Sequence, residues 1–429
     1  MDLVVLGISH KTAPVEQREK AALSESAARA LMQSLRRDTG LSEVVALSTC
    51  NRTEVYAVGH AAADVEGAVR DAILGHTRID PAGLDCARYE FRGTKAATHL
   101  FRVASSLDSM VVGEGEIQGQ VKVAWELAVE EGCSGPLLGR LFQQALEVGK
   151  RVRTETAIGK GAISVSSVGV DLACEVHDEM QGRRVLVIGA GQMAEATTRA
   201  LVDHGIGEVT IINRTVSTAR ELAAGFGGRG VSFDRLHDEL AEADIVISST
   251  DAPHLILSSA EVRDALVARP DRPMVLIDIA VPRDLDPAIG EIEGVTLHDI
   301  DDLEQVVEAN LNGRSAEASR AEVIVDEEAE RFAAWRRGLA VVPTISTLRD
   351  HAERIRSAEL ARVADQWESL SEADRERLEQ LTQGIVNKLL HEPIVRARAA
   401  AANGEGLRHT EILRQLFGLR VGEKDPTSS

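Results

Sequence analysis

Hydrophobic positions in the first part of the chain alternate between the spacing of strands and that of helices. Four short apolar runs predict buried strands: Leu3–Ile8, Val44–Leu47, Val55–Val58 and Tyr89–Phe91. Helical spacing begins after Ser24, a residue that can cap a helix, and returns near Val65–Leu74. This order of elements predicts an α/β sandwich of the split βαβ kind.

Helical periodicity then dominates from about Thr94 to Val176. One apolar stripe in this region recurs at three- and four-residue spacing and contains Leu137, Leu141, Ala145 and Val148. We expect these helices to complete a first domain, 1–156, and to begin a connection to a second.

Strands and helices alternate again between Arg183 and Asp278. The predicted elements are, in turn, Val185–Ile188, Ala194–Val202, Val209–Ile212, Ala219–Ala224, Ile245–Ser248 and Met274–Asp278. Repeated βα units of this kind predict a doubly wound parallel sheet, here a Rossmann-like domain over 157–300.

The last part of the chain has a helical pattern without strands. Asp301 can cap a helix in a box with Glu304, and the pattern then continues to about Leu339, before Pro343. We expect a long linker helix over 301–340, a helical self-association domain over 341–420 and a frayed tail over 421–429. The apolar positions of the helical domain include Leu378, Leu381, Ile385 and Leu389.

Composition limits the class of protein. The chain has 429 residues, which is enough for two or three domains, and only 3% of them are aromatic. Its net charge of -20 argues against broad binding of a phosphate backbone, so a nucleic-acid partner would need a local basic patch. The N-terminus lacks the features of a signal peptide, which predicts a cytoplasmic protein.

The four cysteines are scattered, with no Cys-x-x-Cys pair and no clustering with histidine. This distribution indicates neither a disulfide framework nor a metal site. Any functional cysteine is expected to act as a thiol.

A glycine-rich turn follows the predicted strand Val185–Ile188. Its residues are Gly189, Ala190, Gly191, Gln192, Met193 and Ala194, and a helix follows. Glycines at this point let backbone amides and the helix N-terminus approach a pyrophosphate. The turn therefore predicts dinucleotide binding, and the alternative is a tight structural turn.

The next strand ends in Asn213, Arg214 and Thr215, where an enzyme that uses NAD usually carries an acidic residue. Arg214 suits a 2′-phosphate and favours NADP, unless it is only an exposed loop residue. Ser248–Thr250 and Asp278–Arg283 follow later strands and are expected to frame a nicotinamide, or to be ordinary turns.

A short polar segment, Leu47–Glu54, lies between two predicted strands and carries Cys50 close to Arg52. A thiolate is the nucleophilic form of cysteine, and nearby positive charge favours it. Taken alone, Cys50 would more often be a small buried residue than a nucleophile.

Three segments together resemble the glutamyl-tRNA reductase family: Gly7–Pro14, Leu47–Glu54 and His99–Gln120. The resemblance continues through Lys150–Thr156, the glycine turn and the loops after the later strands, over about residues 3–340. The sequence departs from the commoner family pattern at Gly115, Glu116 and Gln118, where Pro, Gln and Leu are usual.

The resemblance implies an NADPH-dependent enzyme that converts glutamyl-tRNA to glutamate 1-semialdehyde, the first step of the five-carbon route to tetrapyrroles. Cys50 would be the nucleophile that forms a thioester. His99 would be important for activity, either in proton transfer or in positioning. Arg52 would bind the carboxylate of the glutamate side chain, and the alternative is an ion pair with Glu54.

The resemblance also implies further substrate-pocket positions: Thr49, Asn51, Ser109, Glu114, Gly115, Glu116 and Gln120. It implies a V-shaped homodimer that holds tRNA and has glutamate-1-semialdehyde aminotransferase as a partner. A basic cluster of Lys150, Arg151, Arg153 and Lys160 could contact the tRNA backbone, or could be a solvated helix face.

Two other readings of the residues stay open. One is a cysteine acyltransferase or hydrolase that uses Cys50 and His99 and in which the nucleotide domain is regulatory. The other is a dimeric scaffold that senses NADP(H) through 183–300, and it predicts that Cys50→Ser has no effect.

Overall fold

The computed structural model describes residues 2–59, 64–109, 116–158, 165–177, 180–250, 252–270, 272–310, 315–339, 341–363 and 371–419. The chain divides into two compact units, Met1–Asp326 and Glu327–Ser429. The first unit contains both α/β regions predicted from the sequence. Glu114, Gly115 and Lys160 and the expected frayed tail, 421–429, lie outside the described residues.

The first unit begins with an antiparallel sheet of four strands in the order β2-β3-β1-β4. The strands are β1 (Asp2–Ser9), β2 (Glu43–Ser48), β3 (Arg52–Gly59) and β4 (Tyr89–Arg92). Because β3 lies between β1 and β2, the sheet has the split βαβ topology predicted from the sequence.

Helices connect these strands and cover the sheet. They are α1 (Val15–Ala21), α2 (Glu25–Asp38), α3 (Val65–His76) and α4 (Pro81–Ala87). Ser24 caps α2, as predicted, by accepting a hydrogen bond from the Ala27 amide. The sequence pattern missed α1 and α4 because a seven-residue helix has too few turns for a clear periodicity.

Three more helices follow: α5 (Thr94–Ala104), α6 (Glu116–Glu130) and α7 (Pro136–Glu155). Helices α6 and α7 contact the same sheet as α2 and α3. The strands are therefore buried on both faces, which explains why their apolar runs are nearly continuous. Tyr56 of β3 packs edge-on against Phe142 of α7, with ring centroids 5.2 Å apart.

The second sheet of this unit is parallel and has the order β10-β9-β8-β5-β6-β7. Its strands are β5 (Arg184–Ile188), β6 (Glu208–Ile212), β7 (Arg229–Val231), β8 (Ile245–Ser248), β9 (Met274–Asp278) and β10 (Val295–His298). The surrounding helices are α8 (Val165–Val176), α9 (Gln192–Asp203), α10 (Val216–Ala224), α11 (Leu236–Glu242) and α12 (Ser259–Val267).

Successive residues of the parallel strands point into two different cores. Val187, Ile247 and Ile277 pack on one face, while their neighbours Leu186, Val246 and Leu276 pack on the other. The doubly wound fold is therefore as predicted, although the short edge strands β7 and β10 were not recognised. The strand order reverses between β5 and β8, and this is where ligands bind in open α/β sheets.

Helices account for the rest of the chain: α13 (Ile300–Asn310), α14 (Ser315–Leu339), α15 (Val342–Val363), α16 (Glu372–Ala402) and α17 (Gly406–Phe417). The capping prediction for Asp301 is wrong. Asp299 instead accepts from the amides of Asp301 and Asp302 and so caps α13, while the Asp302 carboxylate accepts from the Asp299 amide.

Pro343 also has a different role from the one predicted. It lies in the first turn of α15, where a proline is tolerated because its missing N–H would have no helical partner. Helix α14 ends at Leu339, as the pattern indicated.

The second unit has a small core of its own, which includes Val341, Ile345, Leu390, Ile394 and Leu419. Large apolar side chains of α16 remain exposed in the single chain: Leu381, Ile385, Leu389 and Val395. Within the described ranges, no helix is both long and apolar enough to cross a membrane.

Candidate active site

Cys50 lies at the tip of the hairpin that joins β2 to β3. The loop is fixed by Thr49, whose Oγ1 accepts hydrogen bonds from the amides of Asn51 and Arg52, both at 3.2 Å. The Thr49 amide donates to the Arg52 carbonyl over 2.8 Å, and the His10 amide donates to the Asn51 carbonyl over 2.9 Å. The three-residue loop therefore holds the thiol on rigid strands.

Cys50 is half-buried, and apolar side chains from both α/β regions pack on one side of it. Cys50 and Val281 pack against the buried side chains of Val15 and Ile300. Val15 begins α1, whereas Val281 follows β9 and Ile300 begins α13. A residue of the Rossmann-like domain, here called the nucleotide-type domain, thus packs against the cysteine.

A fully buried carboxylate, Glu54, lies on β3 behind the hairpin loop. Its oxygens accept hydrogen bonds from Arg52 Nη1 at 2.8 Å, His99 Nε2 at 2.8 Å and the hydroxyls of Tyr56 and Tyr89. Burial by itself would raise the pKa of Glu54, but His99, Arg52 and the donated hydrogen bonds outweigh it and hold the pKa well below its usual range.

Arg52 is 1% exposed and forms the ion pair with Glu54 that the sequence analysis gave as an alternative. Its Nη1 also lies 3.1 Å from Asp108 Oδ2, and its Nη2 donates to the Asp108 carbonyl. Lys11 pairs with the same Asp108 carboxylate. Arg52 is therefore a positive charge held in place by two carboxylates at the base of the hairpin.

His99 lies on α5, behind Arg52 and Glu54. Its ring packs against Tyr89 and Phe91, with centroid distances of 5.2 and 4.9 Å. An ionised carboxylate can only accept, so His99 Nε2 is the donor to Glu54. His99 and Arg52 therefore donate to the same carboxylate, that of Glu54.

One cleft of about 1160 Å³ joins the two α/β regions. The predicted substrate residues that line it are Thr49, Cys50, Asn51, Arg52, Ser109, Glu116 and Gln120, and the predicted cofactor residues are Gly189, Ala190, Gly191, Met193, Asn213 and Arg214. Among the described residues, the lining of the cleft does not include His99, Ala194 or Thr215. Its volume is slightly above the usual range of small-molecule sites and would suit a dinucleotide with a second ligand.

Three buried polar atoms of the cleft have no hydrogen-bond partner among the described residues. They are the acceptor Asn51 Oδ1, the hydroxyl of Ser109 and the donor Arg52 Nε. Buried polar atoms are nearly always paired in folded proteins, so these atoms indicate a polar ligand. A ligand with both a cationic and an anionic or carbonyl group would satisfy all three.

The two glycines of the glycine turn are required for different reasons. Gly189 has φ of +104°, and a Cβ there would collide with the carbonyl oxygen of Ser249 at the end of β8. A Cβ on Gly191 would meet no protein atom within 4 Å. The fold therefore needs Gly189, whereas close approach of a ligand is the remaining reason for Gly191.

The other predicted nucleotide positions are distributed around this turn. Ala194 is buried against the sheet, which suits its expected role in close helix packing, and the side chain of Gln192 lies outside the described residues. Arg214 is exposed on the wall of the cleft, after β6. Thr215 immediately precedes α10.

The loops after β8 and β9 line the cleft, as the sequence predicted, and they are tied together by Asp284. Its carboxylate accepts from Ser248 Oγ at 2.7 Å, from the Thr250 amide at 2.9 Å and from Thr250 Oγ1 at 2.6 Å. Sequence reasoning did not identify this residue, because nothing in its local motif indicates which strand end it contacts.

The remaining candidate residues lie on α6 and α7. Burial raises the pKa of Glu116, which begins α6. Gln118, a departure from the family pattern, donates to the Leu146 carbonyl over 2.6 Å and so packs α6 on α7. In the basic cluster, Arg151 pairs with Glu155 at 2.9 Å.

Two observations concern metals and disulfides. Within the described ranges, no group of three His, Cys, Asp or Glu side chains could hold a metal ion. The four cysteines, all of them described, form no disulfide.

A cysteine on a rigid hairpin and a Rossmann-like glycine turn share one cleft, and together they define a multidomain oxidoreductase. Three family models match successive parts of the chain. Residues 6–156 match the N-terminal domain of glutamyl-tRNA reductase, 171–306 match shikimate/quinate 5-dehydrogenase, and 320–419 match the dimerisation domain of glutamyl-tRNA reductase.

Whole-chain relatives agree with this division. Glutamyl-tRNA reductase of Rubrobacter xylanophilus is 47% identical over 98% of this chain and 97% of its own length, and that of Moorella thermoacetica is 44% identical over 99% and 97%. The solved glutamyl-tRNA reductase of Methanopyrus kandleri is 36% identical and covers 96% of this chain and 99% of its own, with a TM-score of 0.48. The chain belongs to the glutamyl-tRNA reductase family, as the sequence motifs predicted.

Proposed function

We propose that this protein reduces glutamyl-tRNA to glutamate 1-semialdehyde with NADPH and releases the tRNA. The observation that supports this most directly is the single cleft that contains both Cys50 and the Gly189–Ala194 turn. The reaction would supply the first intermediate of the five-carbon route to tetrapyrroles.

The residues of the nucleotide-type domain fit a dinucleotide phosphate. Open space beside Gly191 leaves room for the pyrophosphate, and the exposed Arg214 after β6 would hold the 2′-phosphate of NADPH. Ala190, Met193 and Asn213 also line this part of the cleft. When bound, NADPH supplies the hydride for the reduction.

Cys50 would divide the reaction into two easier steps. Its thiolate attacks the ester carbonyl of glutamyl-tRNA, the carbon–oxygen bond breaks, and the tRNA leaves with a proton on its 3′-hydroxyl. The glutamyl group is then a thioester on Cys50. Reduction at the same carbon, protonation and cleavage of the carbon–sulfur bond release the aldehyde and regenerate the thiol.

The base of the hairpin would select glutamate. Arg52 Nε is a buried donor without a partner beside the cleft, and a guanidinium suits a carboxylate. Asn51 Oδ1 and Ser109 Oγ would accept from the substrate ammonium. We assign Thr49 to fixing the loop. Glu116 and Gln120, which line the cleft, are proposed as further substrate positions, together with Glu114 and Gly115.

Three interactions belong to this proposal: with a second copy of the chain, with an aminotransferase and with the tRNA. The match of 320–419 to a dimerisation domain and the exposed apolar side chains of α16 support a homodimer. The aldehyde product is reactive, which favours direct transfer to glutamate-1-semialdehyde aminotransferase as a partner. The cluster of Lys150, Arg151 and Arg153 would contact the tRNA backbone.

A single-turnover assay with tRNA carrying labelled glutamate tests the proposal. Without NADPH the wild-type protein should retain label on Cys50, and with NADPH it should release labelled aldehyde. Cys50→Ser should form neither while still binding NADPH. Cys86→Ser, which alters an exposed cysteine of α4, is the matched control and should react as the wild type does.

Two results would contradict the proposal. Wild-type turnover by Cys50→Ser would exclude the thioester on this cysteine. Release of labelled glutamate without oxidation of NADPH would favour a hydrolase.

A further inference from the structure

Charged contacts connect α1 to the nucleotide-type domain at two points. At one, Nε and Nη2 of Arg283 each lie 3.1 Å from an oxygen of Glu19, and Nη1 lies 3.1 Å from Glu16 Oε1. At the other, Asp301 accepts the Val15 amide at 2.9 Å and pairs with Arg18. We call these two groups of contacts the α1 latch.

The two arginines of the latch are shielded from solvent, although Glu16 is exposed. The side chain of Arg283 is 12% exposed and that of Arg18 only 2%. Arg283 and Glu19 form a two-pronged pair, which restricts geometry more than a single contact does. Such pairs resist screening by salt more than exposed pairs do.

The latch residues are next in sequence to residues of the apolar cluster against which Cys50 packs. Val281 is two positions before Arg283, and Ile300 immediately precedes Asp301. Val15 belongs to both sets, because its side chain packs in the apolar cluster and its amide donates to Asp301. The latch and the apolar cluster of Cys50 are therefore adjoining parts of one contact region.

We infer that the α1 latch holds Val281 and Ile300 over Cys50 and thereby keeps water from a thioester formed there. The inference rests on the proposed function, since it concerns the fate of that thioester. Water that reaches the thioester carbon adds through oxygen, the carbon–sulfur bond breaks, and glutamate and the Cys50 thiol are released. Reduction of the same carbon gives the aldehyde, so the latch sets the ratio of the two products.

Arg283 and Glu19 are positioning residues in this account, because they act on Cys50 through Val281 and α1. Arg283→Ala should still form the labelled acyl-enzyme on Cys50. It should shorten the lifetime of labelled acyl-enzyme without NADPH by roughly tenfold, since one strong charge-assisted contact is lost. With NADPH, the product should shift from aldehyde towards glutamate.

A second measurement needs neither substrate nor cofactor. Alkylation of the folded protein by iodoacetamide, followed at each cysteine by mass spectrometry, reports the accessibility of Cys50. Cys86 is exposed and is not a latch residue, so it is an internal reference. Alkylation at Cys50, relative to Cys86, should be faster in Arg283→Ala than in the wild type.

Three further variants keep the test decisive. Arg37→Ala removes an exposed arginine that pairs with the adjacent Asp38, and it should change neither lifetime nor alkylation. Arg283→Lys keeps the charge without the two-pronged geometry and should give an intermediate effect. If Arg283→Ala does not fold, Glu19→Gln removes the same pair from the other side.

Equal lifetimes and equal Cys50 alkylation in the wild type, Arg283→Ala and Glu19→Gln would overturn the latch. That result differs from failure of the proposed function, in which the wild-type protein itself would carry no label on Cys50. Faster alkylation with an unchanged acyl-enzyme lifetime would also overturn it, because water exclusion would then not limit hydrolysis.

Discussion

His99 Nε2 donates a hydrogen bond of 2.8 Å to Oε1 of Glu54, and the same oxygen accepts from Arg52 Nη1 at 2.8 Å. The histidine is therefore linked to the cleft through a buried carboxylate and a guanidinium. Glu54, together with Asp108, therefore fixes the orientation of Arg52, and the sequence analysis named Glu54 only as an alternative ion-pair partner of Arg52.

The low pKa of Glu54 predicts a pH-dependent stability. The pKa of Glu54 in the folded protein lies below the ordinary value of 4.5, so the ionised carboxylate stabilises the fold at pH values above 4.5. This stabilisation is lost as the pH falls below 4.5 towards the pKa of the folded protein. Glu54→Gln should lower the free energy of unfolding at pH 7 by about 3–5 kcal/mol, since Arg52 loses a buried partner.

Urea denaturation of the wild type and Glu54→Gln between pH 7 and pH 3 checks this expectation. The difference in unfolding free energy should shrink as the pH falls below 4.5. Glu66→Gln, on a partly exposed carboxylate of α3, is the control and should have a much smaller effect at pH 7. A difference that does not change with pH would contradict the assignment.

His99 is predicted to act by positioning. His99→Asn should lower the rate of Cys50 acylation by roughly 10- to 100-fold, because a displaced Glu54 misplaces Arg52. The pH profile of acylation should keep the shape of the wild-type profile. If His99 were the proton donor, a limb near neutral pH would disappear in the variant.

The two glycines of the nucleotide turn should respond differently to alanine. Gly191→Ala should retain the wild-type Tm but weaken NADPH binding by at least about tenfold, because the new methyl group occupies space meant for the ligand. Gly189→Ala should lower Tm as well, because its Cβ would collide with the Ser249 carbonyl. Thermal unfolding and fluorescence titration with NADPH separate these effects, and a low Tm for Gly191→Ala would refute the distinction.

Arg214 is predicted to select the phosphorylated cofactor. Arg214→Gln should raise KM for NADPH by roughly 10- to 100-fold, the cost of one charge-assisted phosphate contact, and leave KM for NADH nearly unchanged. Arg235→Gln removes an exposed arginine that pairs with Asp238 and is the control. Equal kcat/KM for the two cofactors in the wild type would rule out the 2′-phosphate contact.

The local patterns predicted the strands and the main helices because buried apolar residues recur at different spacings in strands and in helices. They failed where an element was too short, as at α1, or where two caps competed, as at Asp299 and Asp301. For the helix cap, the deciding fact was a distant contact, because Asp301 is engaged by Arg18 and the Val15 amide.

By itself, the sequence determined the two α/β folds, the glycine turn and the identity of the thiol segment, since each depends on residues close together in the chain. Only the tertiary structure decided how these parts meet. Arg283 and Glu19 are separated by 264 positions, and Glu54 and His99 by 45. Such contacts depend on how whole domains pack, and no short sequence motif predicts that packing. They place Cys50 beside the nucleotide-type domain.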